Sequence, residues 1–243
     1  MLAIVLSCDR YHAFAQHMMA RYQALWRDHP FTFRVPWQER RPTCASCRIE
    51  PVRTDAGIRQ TVLTLLEDID DETFIYWCID DKFPIHLDTD VLSRVVTAIQ
   101  QQRVGPVDGL LLQRGGNHRK PVHLQSRQTT AIAGIASLER SNYKHIWIHQ
   151  FVRAKVIRHL FTCFPEHIPS AKAMDPLKNR LPKPLGHRLF VSAHSHCRFQ
   201  ESTSRGRITG DCLRSFQAMQ LDVPAWAVAL QGPWHHRCRL SRS

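Results

Sequence analysis

The sequence predicts an α/β fold in which a mostly parallel sheet is flanked by helices, with a more irregular C-terminal part. Over the first hundred residues, short and almost wholly apolar runs alternate with segments whose apolar residues recur at helical spacing. Apolar strands of this kind are typical of parallel sheets, which are covered by helices on both faces. Beyond residue 100 the pattern is less regular and several prolines interrupt it.

The first half contains three predicted pairs of strand and helix. Strands are predicted at residues 2–8, 31–35 and 73–79, and helices at 14–26, 58–69 and 91–99. Pro30 ends the first helix, because the residue before a proline disfavours the helical region. Asp88 is predicted to cap the third helix. The segment between the second strand and about Thr54 is rich in arginine, proline and cysteine and is predicted to be a loop.

The second half is predicted to add fewer regular elements. Strands are predicted at 109–113, 145–149 and 189–192, and helices at 152–161 and 211–219. A long connection between them carries Pro165, Pro169, Pro182 and Pro184. We expect a single domain over residues 1–243.

Positive charge is concentrated in the second half. Residues 1–100 hold 11 Lys and Arg against 14 Asp and Glu, whereas residues 101–243 hold 22 against 7, for a formal net charge of +12. This asymmetry indicates an anionic partner, which could be a nucleotide phosphate, a nucleic acid or an anionic membrane surface.

Composition excludes several classes of protein. With 43% hydrophobic and 22% charged residues, the chain can bury a core and is not a disordered polymer. No stretch reaches the roughly 18 apolar residues of a transmembrane helix. The eight cysteines are too sparse for a disulfide scaffold, and the apolar N-terminus lacks the basic start of a signal peptide. We therefore expect reduced thiols and a cytoplasmic location, with peripheral contact at the inner face of a membrane as an open possibility.

Two adjacent carboxylates, Asp80 and Asp81, end the third predicted strand. In open parallel sheets, ligands bind beyond the carboxyl ends of the strands. Like charges this close repel, and burial adds a desolvation cost that a divalent cation would relieve. Oxygen ligands suit Mg²⁺ or Mn²⁺, which in turn bind diphosphate oxygens. The alternative is that one aspartate caps a turn while the other is solvated.

Three segments of the first half, one of which contains this aspartate pair, form the basis of a resemblance to a known family. They are Ser7-Cys8-Asp9-Arg10-Tyr11 after the first strand, Asp55-Ala56-Gly57 before the second helix, and Phe74–Ile79 running into Asp80-Asp81-Lys82-Phe83. Over residues 2–115 the chain resembles GT-A-type glycosyltransferases, and the rest does so more weakly. In that family an Asp-rich motif follows a strand of a Rossmann-like sheet, and this chain carries Ile79-Asp80-Asp81 instead of the usual Asp-x-Asp.

The resemblance implies an enzyme that moves a sugar from a nucleoside-diphosphate-sugar to a hydroxyl of a glycan or lipid-linked acceptor, assisted by Mn²⁺ or Mg²⁺. It also implies a nucleotide-binding half, residues 1–115, and an acceptor half, residues 116–243. The residues it assigns to the nucleotide are Ser7, Asp9, Tyr11, Asp55 and Asp80, and those it assigns to the metal are Asp80 and Asp81.

Other charged residues are candidates for the remaining roles. The departing diphosphate needs positive charge, for which Lys82 and Arg205 are candidates that bind phosphate or sugar, with Arg10 and Arg53 as further basic residues. An inverting enzyme needs a carboxylate to deprotonate the acceptor hydroxyl, and Glu201 and Asp175 are the candidate catalytic residues. In a retaining enzyme neither needs to act as a base.

Two further patterns have a structural and a functional interpretation. The alternation of His145, Trp147 and His149 predicts one face of a strand, which could line a sugar site, although roles in the core are favoured. Cys44 and Cys47 have the spacing of a zinc knuckle, but no second Cys-x-x-Cys accompanies them. Two loop thiols without a ligand are the favoured interpretation of that pair.

Two other classes of function stay open at this point. The net charge is compatible with a nucleic-acid-binding protein or a metal-dependent nuclease, but the basic residues are scattered and no common nucleic-acid-binding motif is present. Nucleic acid is therefore the less favoured partner. A basic module that binds an anionic membrane surface is the third class.

Overall fold

The computed structural model describes residues 1–114, 124, 129–168, 170–204 and 206–227. Within them the strands are β1 (Leu2–Leu6), β2 (Thr32–Trp37), β3 (Ile49–Arg53), β4 (Phe74–Ile79), β5 (Lys82–Leu87), β6 (Gly109–Leu111), β7 (Thr130–Ile132), β8 (Ile135–Arg140), β9 (Gln150–Arg153), β10 (Leu189–Ser192), β11 (Cys197–Glu201), β12 (Thr203–Ser204) and β13 (Arg207–Ile208). The helices are α1 (His12–Leu25), α2 (Ile58–Leu65), α3 (Thr89–Gln100), α4 (Ala154–Cys163), α5 (Ala171–Lys178) and α6 (Gly210–Ala218).

A nine-stranded sheet has the order β3-β2-β1-β4-β9-β6-β10-β8-β7. Its first four strands are parallel, and β1 is aligned with β4 so that Leu6 lies opposite Ile79. The strands beyond β4 are mixed in direction, since β9 is antiparallel to both of its neighbours. The predicted α/β class is confirmed, with the parallel arrangement in the N-terminal part of the sheet. Two small antiparallel sheets, β5–β11 and β12–β13, lie outside it.

Strand β4 shows why its sequence is apolar throughout. All six of its residues are buried, because successive side chains point to opposite faces and both faces are covered. Tyr76 and Cys78 pack in the layer that contains α1, α3 and α6, whereas Ile75 and Trp77 pack in the layer that contains α2 and α4. With helices on both faces, the ends of the parallel strands are left accessible to a ligand.

Helix α3 begins where the sequence predicts it. The Asp88 carboxylate accepts a hydrogen bond from the Val91 backbone N–H at 3.2 Å and so satisfies one of the free donors of the first turn. Thr209 caps α6 in the same way, accepting from Cys212 N–H at 3.2 Å. Among the described residues, none of the helices combines the length and the apolar character that crossing a membrane would require.

The predicted loop before Thr54 contains an additional strand. β3 pairs with β2 at the edge of the sheet and leaves its side chains half-buried or exposed. An edge strand needs neither an apolar run nor a full set of backbone donors, so Pro51 is tolerated there. This is why its sequence was interpreted as a loop.

Two predictions in the second half are also wrong. Residues 145–149 form a turn, and the chain enters the sheet only at β9, immediately afterwards. The proline-rich connection contains the short helix α5, which includes Pro176. Both errors have one cause, since these segments take their conformation from packing on the sheet and not from a periodic local pattern.

Candidate active site

A cleft of about 850 Å³ lies at the carboxyl ends of β1 and β4. The two strands end side by side, and the Asp80 backbone N–H donates to the Leu6 carbonyl at 3.2 Å. Ser7 follows β1 and Asp80 and Asp81 follow β4, so parallel pairing brings together residues more than seventy positions apart. Of the predicted site residues, those that line the cleft are Ser7, Tyr11, Asp80, Asp81, Lys82 and Asp175.

The surrounding protein disfavours the charged forms of both aspartates. Burial raises the pKa of Asp80 well above its ordinary value, the charge of Asp81 adds to this, and a hydrogen bond with Ser7 opposes it. Burial also raises the pKa of Asp81, and the Lys82 charge opposes that shift. One carboxylate oxygen of Asp81, Oδ1, is shielded from solvent and has no hydrogen-bond partner among the described residues.

This donor set fits a divalent cation that is only partly held by protein. Across the described residues there is no group of three or more His, Cys, Asp or Glu side chains that could hold a metal. Mg²⁺ is commonly bound through one or two carboxylates, with substrate phosphates and water as its other ligands. The half-buried Asp80 carboxylate and the Asp81 oxygen that lacks a hydrogen-bond partner among the described residues would be the ligands that the protein supplies.

Strand β11 brings Glu201 to the edge of the cleft. In the β5–β11 sheet Glu201 lies opposite Lys82, and the two side chains form an ion pair. The Ser202 backbone N–H donates to the Asp81 carbonyl at 2.6 Å, which anchors the end of β11 to the segment after β4. The Glu201 side chain is 58% exposed, so it can reach solvent or a ligand.

Helix α5 also lines the cleft. The Ser170 hydroxyl caps it by accepting from Ala173 N–H at 3.2 Å, and Lys172 and Asp175 line the cleft from its first two turns. Asp175 forms an ion pair with Lys178. The start of α2 also lines the cleft through Gly57, whose φ of +114° lies in the region that favours glycine. Two helix N-termini therefore face a cleft that also holds Lys82 and Lys172.

The structure places Asp9 and Asp55 outside the residues that line the cleft. The Asp9 carboxylate accepts hydrogen bonds from the backbone N–H groups of Gln38, Glu39 and Arg40 at 2.7–2.9 Å. It thereby holds the segment that carries Gln38, which does line the cleft. Asp55 is exposed, and its carbonyl accepts from the Thr61 hydroxyl at 3.2 Å.

The remaining basic candidates are placed elsewhere. Arg10 lies over the ring of Trp226 at 4.4 Å, and Arg53 lies over Trp37 at 5.4 Å, so both guanidinium groups face aromatic rings. Arg205 lies outside the described residues.

Trp147 belongs to the cleft, although its sequence pattern favours a role in the core over a sugar site. Trp147 lines the cleft, and its indole N–H is shielded from solvent without a hydrogen-bond partner among the described residues. His149, predicted to share its face, instead donates from Nε2 to the Ile79 carbonyl at 2.9 Å and accepts at Nδ1 from Tyr22 at 2.7 Å. The core role favoured for His149 is therefore confirmed. Gln38 was missed, because no local motif marks it, whereas Gly57 belongs to the Asp55-Ala56-Gly57 segment that contributes to the resemblance.

No protein-family model matches the sequence, and no curated protein matches it. The structure is similar to solved GT-A glycosyltransferases and to nucleotidyltransferases of the nucleotide-diphospho-sugar transferase fold.

Three of these solved structures illustrate the likeness. S. aureus TarS 1–349 has a TM-score of 0.46 and 14% identity, with 81% of this chain and 59% of that chain covered. An active-site mutant of LgtC has a TM-score of 0.39 and 13% identity, with 93% and 98% covered. UDP-glucose pyrophosphorylase complexed with UDP-glucose has a TM-score of 0.43 and 11% identity, with 82% and 91% covered. This chain thus spans less than two thirds of TarS 1–349, and at such identities and TM-scores we assign no residue a role from these likenesses.

Proposed function

We propose that this chain is a glycosyltransferase that transfers a sugar from a nucleoside-diphosphate-sugar to a hydroxyl of a glycan or lipid-linked acceptor. The observation that carries the proposal is the pair Asp80 and Asp81 on the wall of an 850 Å³ cleft at the ends of parallel strands. One Asp81 carboxylate oxygen has no hydrogen-bond partner within the described ranges. A cleft of this volume is in the range that encloses a ligand of nucleotide-sugar size.

Asp80 and Asp81 would hold Mn²⁺ or Mg²⁺ together with the diphosphate. A cation there would neutralise charge on the departing diphosphate. The chain itself contributes positive charge to the same cleft through Lys82 and Lys172 and through the N-termini of α2 and α5. The diphosphate would therefore lie between the carboxylate pair and these donors.

The nucleoside would occupy the end of the cleft formed by Ser7, Tyr11 and the start of α2. Ser7 and Gln38 offer polar groups there, and Ala56 and Ile58 offer apolar surface. Asp9 would act indirectly, by holding the Gln38 segment in place.

The sugar and acceptor would lie toward Trp147 and α5. Trp147 lines the cleft, and its indole N–H has no hydrogen-bond partner among the described residues; an indole suits packing against a sugar ring and donating to a hydroxyl group. Glu201 and Asp175 are the two carboxylates that could accept a proton from the acceptor hydroxyl. Both are 58% exposed and each is held by a lysine, which positions the carboxylate while leaving an oxygen accessible.

The proposal is tested by thermal denaturation and product analysis of the full chain. Addition of UDP- or GDP-sugars together with Mn²⁺ is expected to raise the melting temperature more than either component alone, because a ligand that binds only the folded state stabilises it. Release of nucleoside diphosphate and glycosylation of an added acceptor are the chemical readouts.

Two outcomes would contradict the proposal. One is the absence of a response to any nucleotide-sugar together with tight, salt-sensitive binding to DNA or RNA, which would favour the nucleic-acid class. The other is binding to anionic vesicles without any nucleotide effect, which would favour the membrane module.

A further inference from the structure

The buried side chain of His149 lies where several elements of the cleft meet. The residue is 1% exposed, and its Nε2 lies 2.9 Å from the carbonyl oxygen of Ile79 at the end of β4. Its ring centroid is 5.9 Å from that of Tyr22 on α1 and 4.6 Å from that of Phe199 on β11. A buried imidazole needs a partner for each ring nitrogen, so these contacts determine how the ring is held.

The hydrogen bonds of His149 have a defined direction. The Ile79 carbonyl can only accept, so Nε2 carries the proton and donates to it. Because burial disfavours a charged imidazole, the ring is neutral and Nδ1 accepts from the Tyr22 hydroxyl at 2.7 Å. The Tyr22 oxygen in turn accepts from the Tyr76 hydroxyl at 2.9 Å. Three buried side chains thus form a chain of hydrogen bonds that ends on the Ile79 carbonyl.

The peptide that joins Ile79 to Asp80 is fixed at both of its polar atoms. His149 donates to its carbonyl oxygen, and its N–H, which belongs to Asp80, donates to the Leu6 carbonyl at 3.2 Å. The carbonyl of Asp80 accepts from the Ser202 hydroxyl at 3.4 Å. The backbone from which the Asp80 carboxylate extends is therefore held by His149 on one side and by β1 and the end of β11 on the others.

The turn at residues 145–149, which carries Trp147 to the cleft, is also held by buried side chains. The Gln150 amide donates to two carbonyls of this turn at 3.0 and 3.1 Å, and the Trp77 indole N–H donates to a third at 2.8 Å. Such bonds replace the strand pairing that an irregular segment lacks. His149 ends this turn and connects it to the end of β4.

We propose that His149 is a positioning residue that holds the Ile79–Asp80 peptide, and with it the carboxylate pair, in a fixed place relative to the turn that carries Trp147. It acts through the backbone of the residues that would bind the metal. Its effect on metal and nucleotide binding rests on the proposed function, whereas its effect on the backbone at Asp80 does not.

The test compares two substitutions in the full chain without any ligand. His149→Gln keeps an N–H donor near the position of Nε2, whereas His149→Met has a similar length and no donor. Amide hydrogen exchange followed by NMR measures opening at Asp80 and in the middle of β4. We expect His149→Met to speed exchange at Asp80 by about tenfold relative to the amides in the middle of β4, as the loss of one buried hydrogen bond implies. His149→Gln should restore most of the protection.

Two further variants separate positioning from a general loss of stability. Val95→Ala removes buried volume from α3, in the same core layer as Tyr22, and should speed exchange in β4 without selectivity for Asp80. Tyr22→Phe keeps the aromatic ring and removes the donor to Nδ1, so a smaller, Asp80-selective increase is expected. An increase that is absent or not selective for Asp80 in His149→Met or, should that variant not fold, in Tyr22→Phe would overturn the proposal.

Calorimetry of UDP or GDP binding in the presence of Mn²⁺ adds a functional readout. Residues that orient metal ligands change affinity by about 10- to 100-fold when they are removed, so His149→Met should bind about tenfold more weakly and His149→Gln nearly as the parent does. Equal affinity of His149→Met and the parent would overturn the positioning role. If the parent itself does not bind, the proposed function is contradicted, and the exchange comparison still decides whether His149 holds the Asp80 backbone.

Discussion

Lys82 and Glu201 are 119 residues apart in the sequence and form an ion pair beside the cleft. The pairing arises because β5 and β11 place the two residues opposite each other. Lys82 lines the cleft directly, so its partner carboxylate is held at the edge of the same space. This relationship makes Glu201 a candidate for the proton acceptor, alongside Asp175, which lines the cleft itself.

Glu201→Gln is expected to lower the transfer rate by about 10²–10⁴-fold, the usual contribution of a positioned base. The free energy of unfolding should change by less than about 1 kcal/mol, since ion pairs this exposed contribute little to stability. Steady-state kinetics and urea denaturation measure the two quantities. Asp175→Asn is the matched comparison. If Glu201→Gln keeps the parental transfer rate and Asp175→Asn loses it, Asp175 and not Glu201 is the proton acceptor.

Asp81→Asn is expected to remove the joint stabilisation by Mn²⁺ and a nucleotide-sugar. In the absence of ligand its melting temperature should equal or exceed that of the parent, because the amide carries no charge for burial to disfavour. Differential scanning fluorimetry with and without Mn²⁺ measures both effects. The exposed residue Asp222, changed to Asn, is the control and should respond to the ligands as the parent does.

Asp9→Ala is expected to destabilise the protein by about 1–2 kcal/mol at neutral pH, since three backbone N–H groups lose their acceptor. Burial opposes the charged form of Asp9, but those donors and His12 outweigh it and lower the pKa of this carboxyl. The contribution is therefore present above the unfolded pKa near 4 and is lost as the pH falls through the lower folded value. Urea denaturation measures this, and the free energies of unfolding of the parent and of Asp9→Ala should converge in acid. A difference between them that stays constant across pH would show that the Asp9 charge is not its cause.

Two buried histidines predict a loss of stability in mild acid. Burial, with a smaller effect of Arg21, lowers the pKa of His17 to about 4, and burial lowers the pKa of His149 to about 3. Below the ordinary value near 6.5 the unfolded chain binds protons that the folded chain does not, so stability decreases on acidification. Each histidine should contribute a slope of about 1 kcal/mol per pH unit between pH 6 and 5, and the slope of His17 should decrease as the pH approaches its folded pKa.

The histidine prediction is checked by urea denaturation at pH 7, 6 and 5. His17→Gln should reduce the slope while retaining a partner for the Ser215 hydroxyl, which lies 2.7 Å from His17 Nε2. An unchanged slope in this variant would show that His17 titrates normally in the folded protein.

Local sequence patterns predicted most of the parallel half of the fold. Each of these elements buries a continuous face, and such burial produces a periodic pattern of apolar residues in the sequence. The pattern is visible in the apolar runs of β1 and β4 and in the helical spacing of α1, α2 and α3. The Asp80-Asp81 pair was predicted to lie at a strand end, and it does. Edge strand β3 and helix α5 could not be predicted in this way, because neither buries a regular apolar face.

By itself, the sequence determined the α/β class, the carboxylate pair after β4 and the separation of charge between the two halves. Only the tertiary structure decided which distant residues share the cleft. It places Glu201 opposite Lys82 and puts Trp147 on the cleft wall, whereas the Asp9 carboxylate accepts hydrogen bonds from backbone N–H groups outside the cleft lining. When one face of an element is buried, apolar residues recur periodically in its sequence. A contact across the sheet instead depends on the register and packing of segments that are distant in the sequence and share no local pattern.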